Sequence, residues 1–237
     1  MSTYLQLCQR LRQESGIPGT GPLAVTSQTG ELKLLVDWIA SAWTELQNKH
    51  TTWRWMRSTF SVNTVSNDDT YAYTDCTDSR LSAAISRFAR WWPENGDNIP
   101  NMTIYLTSAG VSGEQDLILL PWDDFRLTFK RGTQTNGFPK YVAIDPQNNL
   151  VLGPKPDGIY TINGEYQMSS QTLSADGDTP EMPARFHEAI VYLALEDHGM
   201  FAAAQEAYVR GRTKGRKLVR QLESDQLPRI FKGDPLA

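Results

Sequence analysis

The sequence predicts an α+β protein: a helical bundle made from the N- and C-terminal helices, with a β-rich, antiparallel, sandwich-like domain inserted in the middle. Three observations lead there. Apolar residues recur at steps of three and four near both ends of the 237-residue chain. In the middle the period falls to two, and clusters of Gly, Pro, Asn and Asp separate the runs. The last helical stretch follows the one before it after almost no linker, which favours an antiparallel helical hairpin. The expected division is 1–50 with 176–225 as a discontinuous helical domain, 51–175 as the insertion, and 226–237 as an extended C-terminal tail.

Taken in order, Tyr4, Leu5, Leu7, Cys8 and Leu11 have helical spacing, and Gly16-Ile17-Pro18-Gly19-Thr20-Gly21-Pro22 ends that helix. The glycine cluster lacks the Gly-Lys-Ser/Thr ending of a phosphate-cradling loop, and no strand precedes it, so it reads as a connection. Thr29 is a candidate N-cap with Glu31 in the first turn. Leu32, Leu35, Val36, Ile39, Trp43 and Leu46 then line one face of a second helix, to about Lys49.

From Thr51 the period changes. Trp53-Arg54-Trp55 alternates, and Phe60, Val62 and Thr64 alternate in another register, as a bulge between them would allow. Tyr71-Ala72-Tyr73 resumes as a strand after the turn signal at Ser66-Asn67-Asp68-Asp69. Leu81 to Trp92 reads as a helix with Leu81, Ala84, Ile85, Phe88 and Trp92 on one side. Met102 to Leu106 is a strand; Pro121 opens a short helix bearing Trp122, Phe125 and Phe129. Tyr141 to Ile144 and Leu150 to Leu152 flank a turn. Pro154-Lys155-Pro156-Asp157-Gly158 is a turn by mechanism, since proline presets φ and glycine supplies a positive one. Ile159 to Met168 alternates, completing a meander of at least three antiparallel strands.

Pro183 opens a helix carrying Phe186, Ala189, Ile190, Leu193 and Ala194, with Gly199 as its stop. The last helix then places Phe201, Ala204, Tyr208, Gly211, Gly215, Leu218 and Leu222 along one seam. Glycine inside a helix costs about 1 kcal/mol relative to alanine, so a seam with two of them either admits another backbone closely or breaks there. Around the seam stand Arg210, Arg212, Lys214, Arg216, Lys217 and Arg220. In a chain of formal charge −4 this is a local asymmetry. It is either a solvated face or a surface for an acidic protein or a polyanion such as DNA.

Chemistry is sparse by comparison. Cys8 and Cys76 lie far apart, implying neither a disulfide framework nor a zinc site, and a reducing compartment is the simpler expectation. The N-terminus has no signal-peptide pattern and no run of about 18 apolar residues occurs, so neither secretion nor a membrane helix is expected. His187-Glu188 begins like a zinc-protease helix, but Val191 stands where the second ligand belongs. Asp75, Cys76 and Asp78 match no metal spacing. Asp157 and Glu165 are the carboxylates available for a glycosidase-like pair, without a second signal to support them. No cofactor or metal site is expected.

The run Pro139-Lys140-Tyr141, Leu150 to Tyr160 with its Pro-Lys-Pro-Asp-Gly turn, Glu165-Tyr166, Leu173, Asp176, Asp178, Met182-Pro183, Phe186 and Ala189-Ile190 resembles the head-to-tail adaptor, or connector, proteins of tailed bacteriophages. The order of elements matches along nearly the whole chain. The resemblance implies a non-enzymatic protein of the virion neck, made in the host bacterial cytoplasm. It implies a homo-oligomeric ring, generally twelve-fold, beneath the portal protein, with genomic DNA passing through without sequence recognition. On this reading Arg210, Arg212, Lys214, Arg216, Lys217 and Arg220 face portal or DNA. Arg229, Ile230, Phe231 and Lys232 dock a C-terminal tail on the portal. Trp53, Trp55, Pro156, Asp157 and Tyr160 meet a downstream tail or nozzle protein. The alternatives are a virion carbohydrate-binding or host-recognition module, which the aromatics of the β part would suit, and an enzyme such as a virion glycosidase.

Overall fold

In a computed structural model, residues 1–95 and 99–228 are described. The fold is α+β, with helices at both ends of the chain and β structure between them. It separates into two compact units, Met1–Met56 with the chain from Ser170 on, and Arg57–Ser169.

The helices are α1 (Tyr4–Ser15), α2 (Gly30–Asn48), α3 (Trp122–Phe129), α4 (Glu188–Phe201) and α5 (Gln205–Gln226). In the first unit α4 packs on α1, α2 and α5. It is buried nearly all round, at Ala189, Ile190, Val191, Tyr192, Ala194, Leu195 and His198, as a central helix must be. The α1 and α2 stripes close on it through Leu7, Leu11, Leu35, Ile39, Trp43 and Leu46. Local chemistry sets the ends of α1: Thr3 and Gln6 form a reciprocal capping box, and Gly16 terminates the helix at φ 75°. Thr29 holds the N-cap position of α2 without making the side-chain bond expected of it.

Trp53-Arg54-Trp55 does not form a strand. Arg54–Met56 is a 3₁₀ turn, and Trp53 is fully buried in the helical core, stacked on Trp55 with ring centroids 4.3 Å apart. Helix α2 dictates this. Its last carbonyls, on Leu46 and Gln47, lack intrahelical partners, and the Trp53 indole N–H donates to both at 3.1 Å.

The second unit contains β1 (Arg57–Asn63), β2 (Thr70–Tyr71), β3 (Thr77–Asp78), β4 (Ala83–Ala84), β5 (Arg90–Trp92) and β6 (Thr103–Leu106). It continues with β7 (Gln115–Asp116), β8 (Ile118–Leu119), β9 (Tyr141–Ile144), β10 (Leu150–Gly153) and β11 (Tyr160–Gln167). One sheet runs β4-β3-β1-β11-β6-β7, with β5 pairing the far end of β11; the other runs β2-β10-β9-β8. The long β1–β11 ladder, from Arg57↔Gln167 to Asn63↔Thr161, is its spine. Among the named strands the pairings are antiparallel except β8–β9, which is parallel. Phe60, Val62, Ile104, Ile162 and Tyr166 from the first sheet share one core with Val142, Leu150 and Leu152 from the second, the arrangement of a sandwich.

Leu81 to Trp92 is not the helix its spacing suggested. Ser82 sits at φ 52°, which breaks a helix at its first turn, and Leu81 is exposed. Trp91 is buried instead, its indole N–H on the Asn148 carbonyl at 2.8 Å. Strand β11 extends beyond its register with β6, and its backbone groups there require a partner; β5 supplies it through Glu165↔Trp92 and Tyr166↔Trp91. Gly199 does not stop α4, which continues to Phe201, and the helix expected to start at Phe201 starts at Gln205. Cys8 and Cys76 are both free and buried, and burial pushes each thiol up to about 12, which leaves them unreactive.

Candidate interaction surface

Helices α4 and α5 form an antiparallel hairpin turned through Ala202–Ala204, with Ala203 at φ 51°. Helix α5 is continuous through both of its glycines. A β-carbon on Gly211 would lie 2.6 Å from the Glu196 amide nitrogen and 2.8 Å from the Tyr192 carbonyl oxygen. One on Gly199 would lie 2.6 Å from the Tyr208 Cα. These two positions let the backbones touch. The buried seam of α5 is Ala207, Gly211, Gly215, Val219, Leu222 and Gln226; it keeps Gly211, Gly215 and Leu222 of the expected seam and has Ala207 and Val219 where Tyr208 and Leu218 were expected.

That contact turns the basic residues outward. Arg210, Arg212, Lys214, Arg216, Lys217 and Arg220 are all exposed. Their environments differ. Arg210 pairs with Glu14 at 3.1 Å. Lys214 donates to the Tyr192 hydroxyl at 3.3 Å and lies 4.9 Å from that ring's centroid. Arg212 donates to the Tyr208 hydroxyl at 2.8 Å. Among the described residues Arg216, Lys217 and Arg220 have no ion-pair or hydrogen-bond partner.

The carboxylates at that end of α5 are already engaged. Glu223 accepts from Lys49 at 2.8 Å and from His50 at 2.9 Å. Burial alone would raise its pKa, but those two partners hold it below the ordinary value. Asp225 is bound by Arg185. A cleft of about 360 Å³ opens beside them, lined by Lys49, Glu196, Arg216, Val219, Arg220 and Glu223. Lys49 and His50 carried no functional signal in the sequence; their part in this surface depends on a contact 173 residues distant in the chain.

In the β unit, Pro156 and Tyr160 are buried and Asp157 is exposed, its carboxylate accepting from the Tyr160 hydroxyl at 2.5 Å. Trp53 and Trp55 belong to the helical unit, not to the β part, and Trp53 has no accessible surface. What the β unit does expose is aliphatic. Val65, Leu106, Val111 and Ile159 stand out on the strand ends and loops at one end of the sandwich. These segments are tied together by Thr107 N–H to the Ile159 carbonyl at 3.2 Å and Thr64 Oγ1 to the Gly158 carbonyl at 3.1 Å. Arg229, Ile230, Phe231 and Lys232 lie outside the described residues.

Among the described residues the two carboxylates of the expected glycosidase-like pair, Asp157 and Glu165, are not brought together. Tyr160, to which Asp157 is bonded, is separated from Glu165 by five strand steps, about 17 Å, well beyond the 5–9.5 Å of a glycosidase pair. Glu165 is bound to Arg57. His187 is buried, taking the Ser2 N–H on Nδ1 and reaching the Met182 carbonyl through Nε2, each at 3.2 Å. No cluster able to hold a metal occurs among the described residues, and no helix among them is long and apolar enough to cross a membrane.

No curated protein matches the chain. A family model described as SU10 adaptor protein, however, matches residues 2–229, which takes in both units and every element described above. The chain therefore belongs to the SU10 adaptor protein family, a family of phage head-to-tail adaptors.

Proposed function

We propose that this phage adaptor, a structural component of the virion, assembles as a closed ring between the portal and the tail or nozzle, around the channel through which DNA passes. The observation that carries the reading is the family match over residues 2–229. Two features of the molecule support it. The helical unit holds out a cationic helix on which Arg216, Lys217 and Arg220 have no ion-pair or hydrogen-bond partner among the described residues. The β unit ends in loops with four exposed aliphatic side chains, and such patches mark contacts with other proteins. In this scheme the helical unit and the segment Arg229–Lys232 meet the portal, and the segments carrying Val65, Leu106, Val111 and Ile159 meet the downstream protein. Ring formation requires heterologous contacts between copies that close by rotation, and twelve copies would match a portal of that symmetry.

A host-glycan module is disfavoured by one observation. Sugars stack on exposed aromatic faces, and no Trp, Tyr or Phe of the β unit is fully exposed among the described residues. Trp92 is covered by the guanidinium groups of Arg57 and Arg90, 4.4 and 4.5 Å from its ring centroid.

The test is to mix the purified chain with its portal and to image and weigh the product. A ring stacked on the portal, lost on deleting residues 229–237 while the helical content of the chain persists, is the expected result. A chain that stays monomeric beside intact portals, or a tail-deleted chain that still binds, overturns the assignment.

A further inference from the structure

The six basic residues of α5 are not equivalent. Four helical steps rise about 6 Å, so Arg212, Arg216 and Arg220 form one row, Arg210 and Lys214 lie on the opposite flank, and Lys217 stands between Arg220 and Lys214. Arg210 and Lys214 are spent within the protein, on Glu14 and on Tyr192. In the second half of the helix compensation fails. Glu223 and Asp225, the acidic residues nearest in sequence, are taken by Lys49 with His50 and by Arg185. Glu196 lines the cleft with Arg216 and Arg220 but makes no ion pair with either among the described residues. Arg216, Lys217 and Arg220 therefore stand as three exposed, unneutralised cations within a single helical turn and a half, on a chain of net charge −4.

We infer that Arg216, Lys217 and Arg220 form a contact for the phosphate backbone of duplex DNA, read without sequence preference, and that Arg210 and Lys214 are structural. The neighbouring side chains favour a phosphodiester over an acidic protein. A protein interface is built round a buried apolar or aromatic anchor with a polar rim. Beyond Val209 the outward face of α5 carries Thr213, Gln221 and Ser224 among its cations and exposes no large apolar residue among the described residues. Phosphate oxygens need only charge and N–H donors, which is what this face offers. Arg216 and Arg220 add planar donor forks suited to bidentate phosphate contact. The inference rests on the adaptor reading only for the presence of DNA nearby.

The experiment measures binding of the full-length chain to a labelled duplex of arbitrary sequence by fluorescence anisotropy over a salt series. Three phosphate contacts give a slope of log K against log salt near −2.7 per chain, or roughly a 40-fold loss of affinity between about 50 and 200 mM salt. The triple variant R216Q/K217Q/R220Q should lose that slope and the binding with it, whereas R210Q/K214Q should bind with the wild-type slope. Circular dichroism on both variants confirms that the helices remain. Wild-type protein that leaves the duplex free at low salt, or a triple variant that binds as wild type does, overturns the inference. So does equal loss in R210Q/K214Q. Association with the portal is measured on the same variants. Portal binding that survives in the triple variant while DNA binding is lost separates the two claims. Portal binding lost only in the triple variant would assign these three cations to an acidic protein instead.

Discussion

The backbones of Gly211 and Glu196 are in direct contact: a β-carbon added to Gly211 would sit 2.6 Å from the Glu196 amide nitrogen, closer than any real side chain can approach. The helical hairpin is set by this pair and by its counterpart at Gly199 and Tyr208. Close approach buries the α5 seam without large side chains, and it leaves the rest of the α5 circumference to charge.

The three glycines at this junction should therefore respond differently to alanine. Gly211→Ala and Gly199→Ala must push backbone against backbone, for about 1–3 kcal/mol of destabilisation. At Gly215 the nearest atoms to a new β-carbon, on Tyr192, are 3.5 Å away, an ordinary contact. Gly215→Ala should instead gain most of the roughly 1 kcal/mol by which alanine outranks glycine in a helix. Urea denaturation of the three single variants decides the matter. A Gly211→Ala protein as stable as wild type would show that the helices do not touch there.

Much of this architecture could be read before the structure was known, and the limits are physical. The 3.6-residue period identified α1, α2 and the helices near the C-terminus because their buried faces are long and regular. Alternation identified β11, and an unbroken apolar run between turns identified β10, which is buried at every position. Leu81 to Trp92 misled because apolar positions at helical spacing over so short a stretch do not exclude a strand. What decided it was the uncovered end of β11, a tertiary fact. Likewise the cationic face of α5 was visible in the sequence, but its division into neutralised and bare residues was not. Arg210 finds Glu14 across 196 residues of chain, and no local pattern encodes that pairing. Trp53 alternates like a strand residue and is instead a cap for α2, because hydrogen bonding outweighed a three-residue pattern.

Acid should loosen the helical unit well before carboxylates titrate. Burial drives down the pKa of His187, whose ring is held by Ser2 and Met182, and of His198, which packs edge-on to Trp38. Glu31 opposes the shift at His198 without reversing it. Both imidazoles are thus neutral in the folded protein at a pH where the unfolded chain would protonate. Their contribution is fully present above the unfolded value of about 6.5 and is lost as pH falls from there through the folded pKa. Stability measured from pH 7 to 5 should fall, with a limiting slope of about 1.4 kcal/mol per pH unit for each proton taken up. The variant H187N/H198N should show a flattened profile over that range. A wild-type profile already flat between pH 7 and 5 would contradict the buried neutral state.

The β unit should owe its own acid sensitivity to Asp78. This carboxylate is 1 % exposed and accepts hydrogen bonds from Ser58 Oγ, the Tyr166 hydroxyl, and the amides of Arg80 and Leu81. Burial would raise its pKa, but four donors aimed at one carboxylate overcome that and hold it below the ordinary range. The same bond, together with burial, pushes the Tyr166 hydroxyl up, so it stays protonated and donating. Its folded pKa being depressed, Asp78 contributes above about pH 3.9, and the contribution is lost as pH falls through the folded value. Asp78→Asn removes one acceptor oxygen and strands buried donors, which costs about 1–3 kcal/mol at neutral pH. Tyr166→Phe deletes a single donor and leaves three in place, so it should cost less and keep much of the acid limb. Thermal melts of both variants at neutral and acidic pH test this ordering. An Asp78→Asn protein that melts with the wild type at neutral pH would mean that the turn from β3 to β4 is held by packing, not by this carboxylate.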